Sequence, residues 1–156
     1  MPYHDLARSA LWLGKTVLGE WTAELQLLCT FAEQYAGAKI VRLAGVREVA
    51  LAALFCGAIY RNGVKTVLYQ APVSYRFAQK TPPDFFSMAI HVPGFLKWGD
   101  VSLVAALGGA EARFVEPVLM DGSPVTGNAV QALKKEFDAV GQKCGAGSGK
   151  TRFVIG

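Results

Sequence analysis

The residues best suited to chemistry lie in a turn between an apolar strand and an apolar helix, Leu-Ala-Gly-Val-Arg-Glu-Val-Ala over residues 43–50. A strand-to-helix turn with a glycine on each side of a nucleophile exposes that nucleophile above the sheet. Gly45 matches the first glycine, Arg47 stands at the nucleophile position and Val49 stands at the second glycine position. Arginine stays protonated and has no nucleophilic atom. The turn is therefore either an ordinary strand-to-helix turn or a degenerate catalytic site, at which Arg47 can bind an anionic group such as a carboxylate through paired hydrogen bonds.

Aromatic and acidic side chains downstream of this turn are further candidates. Tyr75 and Trp98 lie in a proline-rich stretch and are candidate ligand-binding residues, because aromatic rings can stack on sugars; packing is the alternative role. Glu111, Glu116 and Asp121 surround the next strand. A paired-carboxylate acid–base role is one interpretation of these three, and solvated loop ends are the other.

Residues 144–151, Cys-Gly-Ala-Gly-Ser-Gly-Lys-Thr, approach the phosphate-binding pattern Gly-x-x-x-x-Gly-Lys-Thr. Cys144 replaces the first glycine, and a helix precedes the segment while a strand follows it. That order is the reverse of the one that presents a helix N-terminus to phosphate. We therefore predict no nucleotide and no other cofactor. Three widely spaced cysteines and two histidines predict neither a disulfide framework nor a metal site.

Hydrophobic periodicity, punctuated by Gly and Pro, predicts helices that alternate with strands. The predicted helices cover residues 5–35 (in two pieces, broken between Gly14 and Gly19), 47–60, 100–107 and 128–142, and the predicted strands cover 39–44, 64–70, 112–118 and 152–155. Strands that alternate with helices form parallel sheets. We expect one α/β domain over residues 1–156, a three-layer αβα arrangement with helices on both faces of a mostly parallel sheet of about four strands.

Three further segments flank the turn in a fixed order: 13–19 (Leu-Gly-Lys-Thr-Val-Leu-Gly), 71–75 (Ala-Pro-Val-Ser-Tyr) and 92–100 (Val-Pro-Gly-Phe-Leu-Lys-Trp-Gly-Asp). Together with the turn they resemble the second half of an α/β-hydrolase, like acetyl xylan esterase and related carbohydrate-esterase-like proteins. The resemblance spans nearly the whole chain, from about Tyr3 to Ile155. It implies a carbohydrate as the class of ligand.

The resemblance also implies a triad of serine, acid and histidine that act together. The serine maps to Arg47, and the acid maps to Asp121 or, in a strict alignment, to Leu119. The histidine maps to a position after the last strand, where this sequence has none. His91 could take that role only after a rearrangement. The implied protein is a hydrolase-like domain that lacks its own serine-esterase activity.

In a whole hydrolase, the resemblance implies further strands before the one that begins at Lys39 and ends at Ala44. Without them this strand would lie at an edge of the sheet, and an exposed apolar edge is an association site. We expect a homo-oligomer, or a second chain that covers this edge. The alternative function is thus a structural half-domain, unless the N-terminal helix folds over the edge instead.

Composition sets the remaining limits. The chain has 156 residues, of which 52% are hydrophobic and 18% are charged, with a net charge of +4. This apolar fraction fits buried strands or a surface that meets a partner. No apolar run reaches the length of a membrane span. The late basic cluster has no interleaved aromatics (Lys134, Lys135, Lys143, Lys150 and Arg152), so we predict neither a membrane nor a nucleic-acid partner. The first 13 residues lack the pattern of a signal peptide, which leaves the localisation open.

Overall fold

The computed structural model describes residues 3–60, 63–76, 85–108, 111–145 and 150–155. Its α-helices are α1 (His4–Trp12), α2 (Val17–Ala36), α3 (Glu48–Tyr60), α4 (Val101–Leu107) and α5 (Asn128–Lys143), and its strands are β1 (Val41–Val46), β2 (Val64–Tyr69), β3 (Ala112–Val115) and β4 (Thr151–Val154). Short 3₁₀ turns occupy Met88–Ile90 and Phe95–Lys97. The predicted order of helices and strands is confirmed.

The first helical region breaks where the sequence predicts a break. Gly14 has a φ of +71°, a left-handed conformation that glycine adopts without a steric cost. Thr16 then caps α2, because its hydroxyl oxygen accepts a hydrogen bond from the Gly19 N–H at 3.0 Å. After this break, α2 packs against α3.

The four strands form one sheet in the order β1-β2-β3-β4, and every neighbouring pair is parallel. The α/β class and the parallel sheet of four strands are therefore confirmed, and they are consistent with a three-layer α/β fold. β1 begins two residues later than predicted and runs to Val46. The predicted third strand over 112–118 ends at Val115, because Glu116 has a φ of +48° and turns the chain.

One face of the sheet carries the helices. Register partners in a parallel sheet point to the same side, and Thr66 is the register partner of Ala112, as Phe114 is of Phe153. A methyl group added to Gly57 of α3 would lie 3.2 Å from the Thr66 side chain. Phe137 of α5 packs edge-on against Phe114 at 5.6 Å between ring centroids. The main hydrophobic core lies between this face and the helices.

The opposite face has no described helix on it, and we call it the open face. Its residues alternate with the buried ones and are exposed or half-buried: Arg42, Ala44, Val46, Lys65, Val67, Tyr69, Arg113, Val115, Arg152 and Val154. Within the described residues, the helices that contact the sheet lie on its other face. Crossovers of a single hand between sequential neighbours place their helices on the same side of a sheet. Among the described helices, none combines the length and apolarity needed to cross a membrane.

Candidate functional site

Three neighbouring strands end in the same way. β1, β2 and β3 are followed by Arg47, Gln70 and Glu116, whose φ angles are +54°, +49° and +48°. Each of these residues donates its backbone N–H to the last carbonyl of the next strand: Arg47 to Tyr69 at 2.8 Å, Gln70 to Val115 at 2.9 Å and Glu116 to Val154 at 2.8 Å. A left-handed conformation is unfavourable for residues with a Cβ, and such strain clusters at functional sites. The carboxyl edge of the sheet is therefore the candidate site.

The first glycine of the turn after β1, Gly45, lies where the packing is too close for a side chain. A methyl group added to Gly45 would lie 2.6 Å from Cα of Ala50 and 2.8 Å from the Val49 carbonyl oxygen. The chain passes from strand to helix through Arg47 alone, since β1 ends at Val46 and α3 begins at Glu48. Val49, in the second glycine position, is exposed. The turn after β1 is therefore a single left-handed residue, with the arginine side chain at its tip.

The Arg47 side chain is held by the segment that faces the turn. Its guanidinium donates to the Phe85 carbonyl oxygen, and its Cζ lies 4.1 Å from the centre of the Phe85 ring. A cation over an aromatic ring contributes about 0.5–2 kcal/mol, depending on exposure. The adjacent Glu48 accepts the Ser87 N–H at 2.9 Å. Arg47 and Glu48 thus clamp residues 85–87 against the start of α3.

One donor of this guanidinium has no partner among the described residues. Arg47 Nε is buried without a hydrogen bond, and the nearest Glu48 oxygen is 3.8 Å away, which is beyond hydrogen-bond distance. The side chain as a whole is 40% exposed. Arg47 therefore combines a fixed position with a hydrogen-bond donor that the described residues do not use.

A cavity of about 590 Å³ lies over the strand ends. This volume is in the range of small-molecule sites. The three strand-end residues supply a cation, an amide and a carboxylate, while Thr126 adds a hydroxyl. The full lining is Arg47, Gln70, Phe85, Glu116, Pro117, Val118, Gly122, Pro124, Val125, Thr126 and Ile155. Such a lining can pair with the hydroxyl and carboxylate groups of a small polar ligand beside an apolar wall.

Gly122 brings the far wall of this cavity against Phe85. A methyl group at Gly122 would lie 2.3 Å from the Phe85 ring, and its φ is +83°. Only glycine meets both demands, of space and of conformation. The Phe85 ring is consequently held between the Arg47 guanidinium and the turn that follows β3.

Asp121, the predicted acid, is committed to its own turn. Its carboxylate accepts the Ser123 N–H at 2.9 Å, and this hydrogen bond lowers the pKa of Asp121. Asp121 does not line the cavity, whereas its neighbour Gly122 does. The alternative acid position, Leu119, holds an exposed aliphatic side chain.

Tyr75 and Trp98 lie outside the cavity lined by Arg47. The Tyr75 hydroxyl donates to the Ile90 carbonyl oxygen at 2.9 Å, and its ring lies 5.0 Å from that of Phe95. Burial raises the pKa of Tyr75, with a smaller contribution from the Asp100 carboxylate. Trp98 follows the second 3₁₀ turn and is 85% exposed. The two predicted ligand-binding aromatics are therefore not brought together with Arg47 in one site.

Two other nucleophile types in the chain are poorly placed for catalysis. Ser74 donates its hydroxyl to Asp100 and accepts the Arg76 N–H at 2.9 Å, an arrangement that orders a loop. Cys56 is fully buried, 4.0 Å from Cys29 between the two sulfur atoms, and burial raises its pKa to about 12. Thiols react as thiolates, so Cys56 is inert at neutral pH.

The proposed carboxylate pairing is not formed. Glu111 lies before β3 and Glu116 lies after it, at opposite ends of the strand, and Glu111 forms ion pairs with Lys65 and Arg152 instead. Glu116 lines the cavity because it lies at the end of a strand, and not because it pairs with another carboxylate.

Within the phosphate-loop-like segment, residues 146–149 lie outside the described residues.

Gln70 and Glu116 are two cavity residues that the sequence did not lead us to assign to the site. Their shared signal is positional, because each is the first polar residue after an apolar strand. In parallel sheets the carboxyl ends of neighbouring strands meet at one edge, where ligands bind. Glu48 was also missed, and its role depends on a contact with Ser87, 39 residues away in the chain.

Comparisons of the chain with protein-family models, with curated proteins and with solved structures gave no match. The α/β-hydrolase resemblance therefore stays a prediction. The geometry shows a strained turn with a clamped arginine at its tip and a polar cavity beside it.

Proposed function

We propose that this chain is a non-hydrolytic α/β-hydrolase-like domain, related to esterases that deacetylate plant polysaccharides. In this proposal it binds a small hydroxylated ligand with an anionic group at the carboxyl edge of its sheet. The observation that carries the proposal is Arg47 at the left-handed tip of the turn after β1, beside the cavity.

The chemistry of Arg47 argues against ester hydrolysis. A guanidinium stays protonated and cannot attack a carbonyl carbon or accept a proton. Its contacts with Phe85 also hold the side chain in place. A water molecule that attacked the ester at this point would need a general base, and Arg47 does not supply one. In this proposal the domain keeps the strand-to-helix turn of a hydrolase, but it binds a ligand there and does not hydrolyse an ester.

The chemistry of the cavity favours an acidic sugar. Arginine recognises carboxylates through two parallel hydrogen bonds. Gln70, Glu116 and Thr126 offer both donors and acceptors for hydroxyl groups, and Phe85 offers an apolar surface. A uronic acid, which has hydroxyls and one carboxylate on a single ring, matches this set.

The proposal is tested by titrating the purified chain with glucuronate while binding is monitored by NMR. Glucose, the uncharged analogue, is titrated in parallel. Glucuronate should bind more tightly than glucose, and Arg47→Ala should weaken its binding roughly tenfold or more, the equivalent of about 1.4 kcal/mol. Arg42→Ala is the matched control, because Arg42 lies on β1, the strand that Arg47 follows, and points to the open face. Binding that survives Arg47→Ala would contradict the assignment.

A hydrolysis assay completes the test. Nitrophenyl acetate should be hydrolysed no faster by the chain, or by Arg47→Ala, than by a blank without protein. A saturable rate well above the blank would overturn the non-hydrolytic part of the proposal and would show that another residue is the nucleophile.

A second candidate function, an interaction half-domain, is favoured by the surface beside β1. β1 is an edge strand of the sheet. The side chains of α2 that do not pack on α3 form an exposed apolar stripe: Leu27, Leu28, Phe31 and Tyr35. Ile40, just before β1, is 59% exposed. A second chain or a second copy could add strands to β1, or cover this stripe.

Light scattering of the wild type and of Phe31→Glu tests this second candidate. An oligomer that Phe31→Glu dissociates is the expected result, because a carboxylate in an apolar interface is costly. A monomer that unfolds in a single cooperative transition would exclude self-association through this stripe.

A further inference from the structure

The open face combines an apolar block with a basic border. The block is centred on two register pairs of β1 and β2, Ala44 with Val67 and Val46 with Tyr69. Val115 and Val154 continue its last row across β3 and β4, since Tyr69 is the register partner of Val115 and Val115 of Val154. Val46 is 56% exposed and Tyr69 is 42% exposed. Parallel sheets normally have both faces covered, so a face with this composition requires a partner.

Basic side chains surround the block on two sides. Arg42 and Lys65 are register partners at the amino ends of β1 and β2, and Arg113 and Arg152 are register partners on β3 and β4. Glu111 lies beside them, 3.8 Å from Lys65 and 3.4 Å from Arg152, and Asp138 and Lys134 of α5 line the same cleft as Arg113 and Arg152. The basic residues outnumber these two carboxylates, so the border keeps a net positive charge.

We propose that the open face binds an acidic amphipathic helix of another polypeptide. The apolar side of that helix would cover the valines and Tyr69, and its Glu or Asp residues would meet the basic border. Four strands at a spacing of about 4.8 Å span about 14 Å between the outer strand axes, which accommodates one helix about 10 Å across. The partner would complete the second face of the sheet.

Two other occupants fit the open face less well. A second copy stacked face to face would bring two positive borders together, and like charges across an interface are unfavourable. Single-stranded nucleic acid needs several aromatic platforms for its bases, whereas Tyr69 is the single aromatic residue among the ten described residues of this face. The charge border and the apolar block together therefore favour an acidic, amphipathic partner.

Two labelled peptides of about 20 residues test the proposal by fluorescence anisotropy with the full chain. Both are designed helices with leucine on one side, and the other side carries glutamate in one peptide and lysine in its twin. The glutamate peptide should bind saturably and roughly tenfold or more tighter than the lysine peptide. Its affinity should fall as the salt concentration rises, because salt screens the charge component.

Variants of the chain locate the binding. Arg113→Glu combined with Arg152→Glu should weaken the glutamate peptide roughly tenfold or more, and Tyr69→Asp should also weaken it. The matched control, Lys135→Glu with Lys143→Glu, makes the same charge change on α5, on the other side of the sheet, and should leave the affinity unchanged if the far-UV circular dichroism of every variant is native.

Four results would overturn the proposal. These are no saturable binding of the glutamate peptide, equal loss in the α5 control, insensitivity to Tyr69→Asp, which would indicate charge attraction alone, or tighter binding of a single-stranded oligonucleotide than of the glutamate peptide.

Discussion

The two faces of the sheet are formed by alternate residues of the same four strands, yet they obey different constraints. On the helix-covered face, Gly45, Leu68 and Phe114 are buried against α3 and α5 and have little room to change. On the open face, Arg113 and Val46 are exposed. The comparison shows that a single strand can meet the packing demands of a core with every second residue and keep the others for a partner.

The largest effect that this comparison predicts comes from adjacent residues of β3. Phe114→Ala should destabilise the chain by about 3–5 kcal/mol, because a fully buried ring is removed from a cluster with Phe137 and Phe153. Val115→Ala on the open face should cost less than about 1.5 kcal/mol. Urea unfolding followed by circular dichroism measures both. Equal losses would show that the open face is covered in solution.

Gly45→Ala should have the next largest effect. The new methyl group would lie 2.6 Å from Cα of Ala50, and such overpacking costs about 1–3 kcal/mol. Ala44→Ser is the matched change on the open face of the same strand and should be nearly neutral. Thermal unfolding of the two variants checks the difference, and a neutral Gly45→Ala would mean that the turn after β1 is looser than described.

Two substitutions of Arg47 should separate the loss of its contacts with Phe85 from the strain of its left-handed backbone. Arg47→Ala and Arg47→Gly both remove the contacts with Phe85, but only glycine accepts a φ of +54° without strain. Arg47→Gly should therefore be the more stable of the two, by up to about 1 kcal/mol. The reverse order in urea unfolding would show that residue 47 is not left-handed in solution.

The smallest effect is a loss of stability that appears only at alkaline pH. Burial raises the pKa of Cys56 to about 12, and burial also raises the pKa of Cys29. These thiols ionise at a lower pH in the unfolded chain than in the folded one, so their contribution to the free energy of unfolding is complete below about pH 9 and is lost as the pH rises toward 12. Urea unfolding at several pH values should show a decline that Cys56→Ala reduces and Cys144→Ser, at an exposed thiol, does not.

The elements of the fold could be predicted because their signals are local. The apolar period of α5 and the β-branched run of β2 each lie within one segment, and Gly14 marks the break between α1 and α2. The order of the strands carries no such local signal, since several orders satisfy the same alternation of helices and strands. Helices on both faces would require the strand order to reverse, and the order here is sequential.

The candidate site was only partly predictable for a related reason. Arg47 could be identified because Gly45 precedes it at the right spacing, whereas Gln70 and Glu116 adopt a left-handed conformation that their residue types do not announce. The same omission extended the third predicted strand to residue 118, through Glu116 and past Pro117. Asp121 was assigned by resemblance, and a hydrogen bond within its own turn removes it from the cavity.

The sequential strand order also governs how the fold can be assembled during synthesis. Each strand pairs with the one that leaves the ribosome immediately before it, and domains form from the N-terminal side as the chain emerges. Short separations between pairing partners reduce the entropy lost on closing each crossover, which speeds folding. The sheet can therefore grow from β1 toward β4, and the core is closed last, when Phe153 stacks on Phe114.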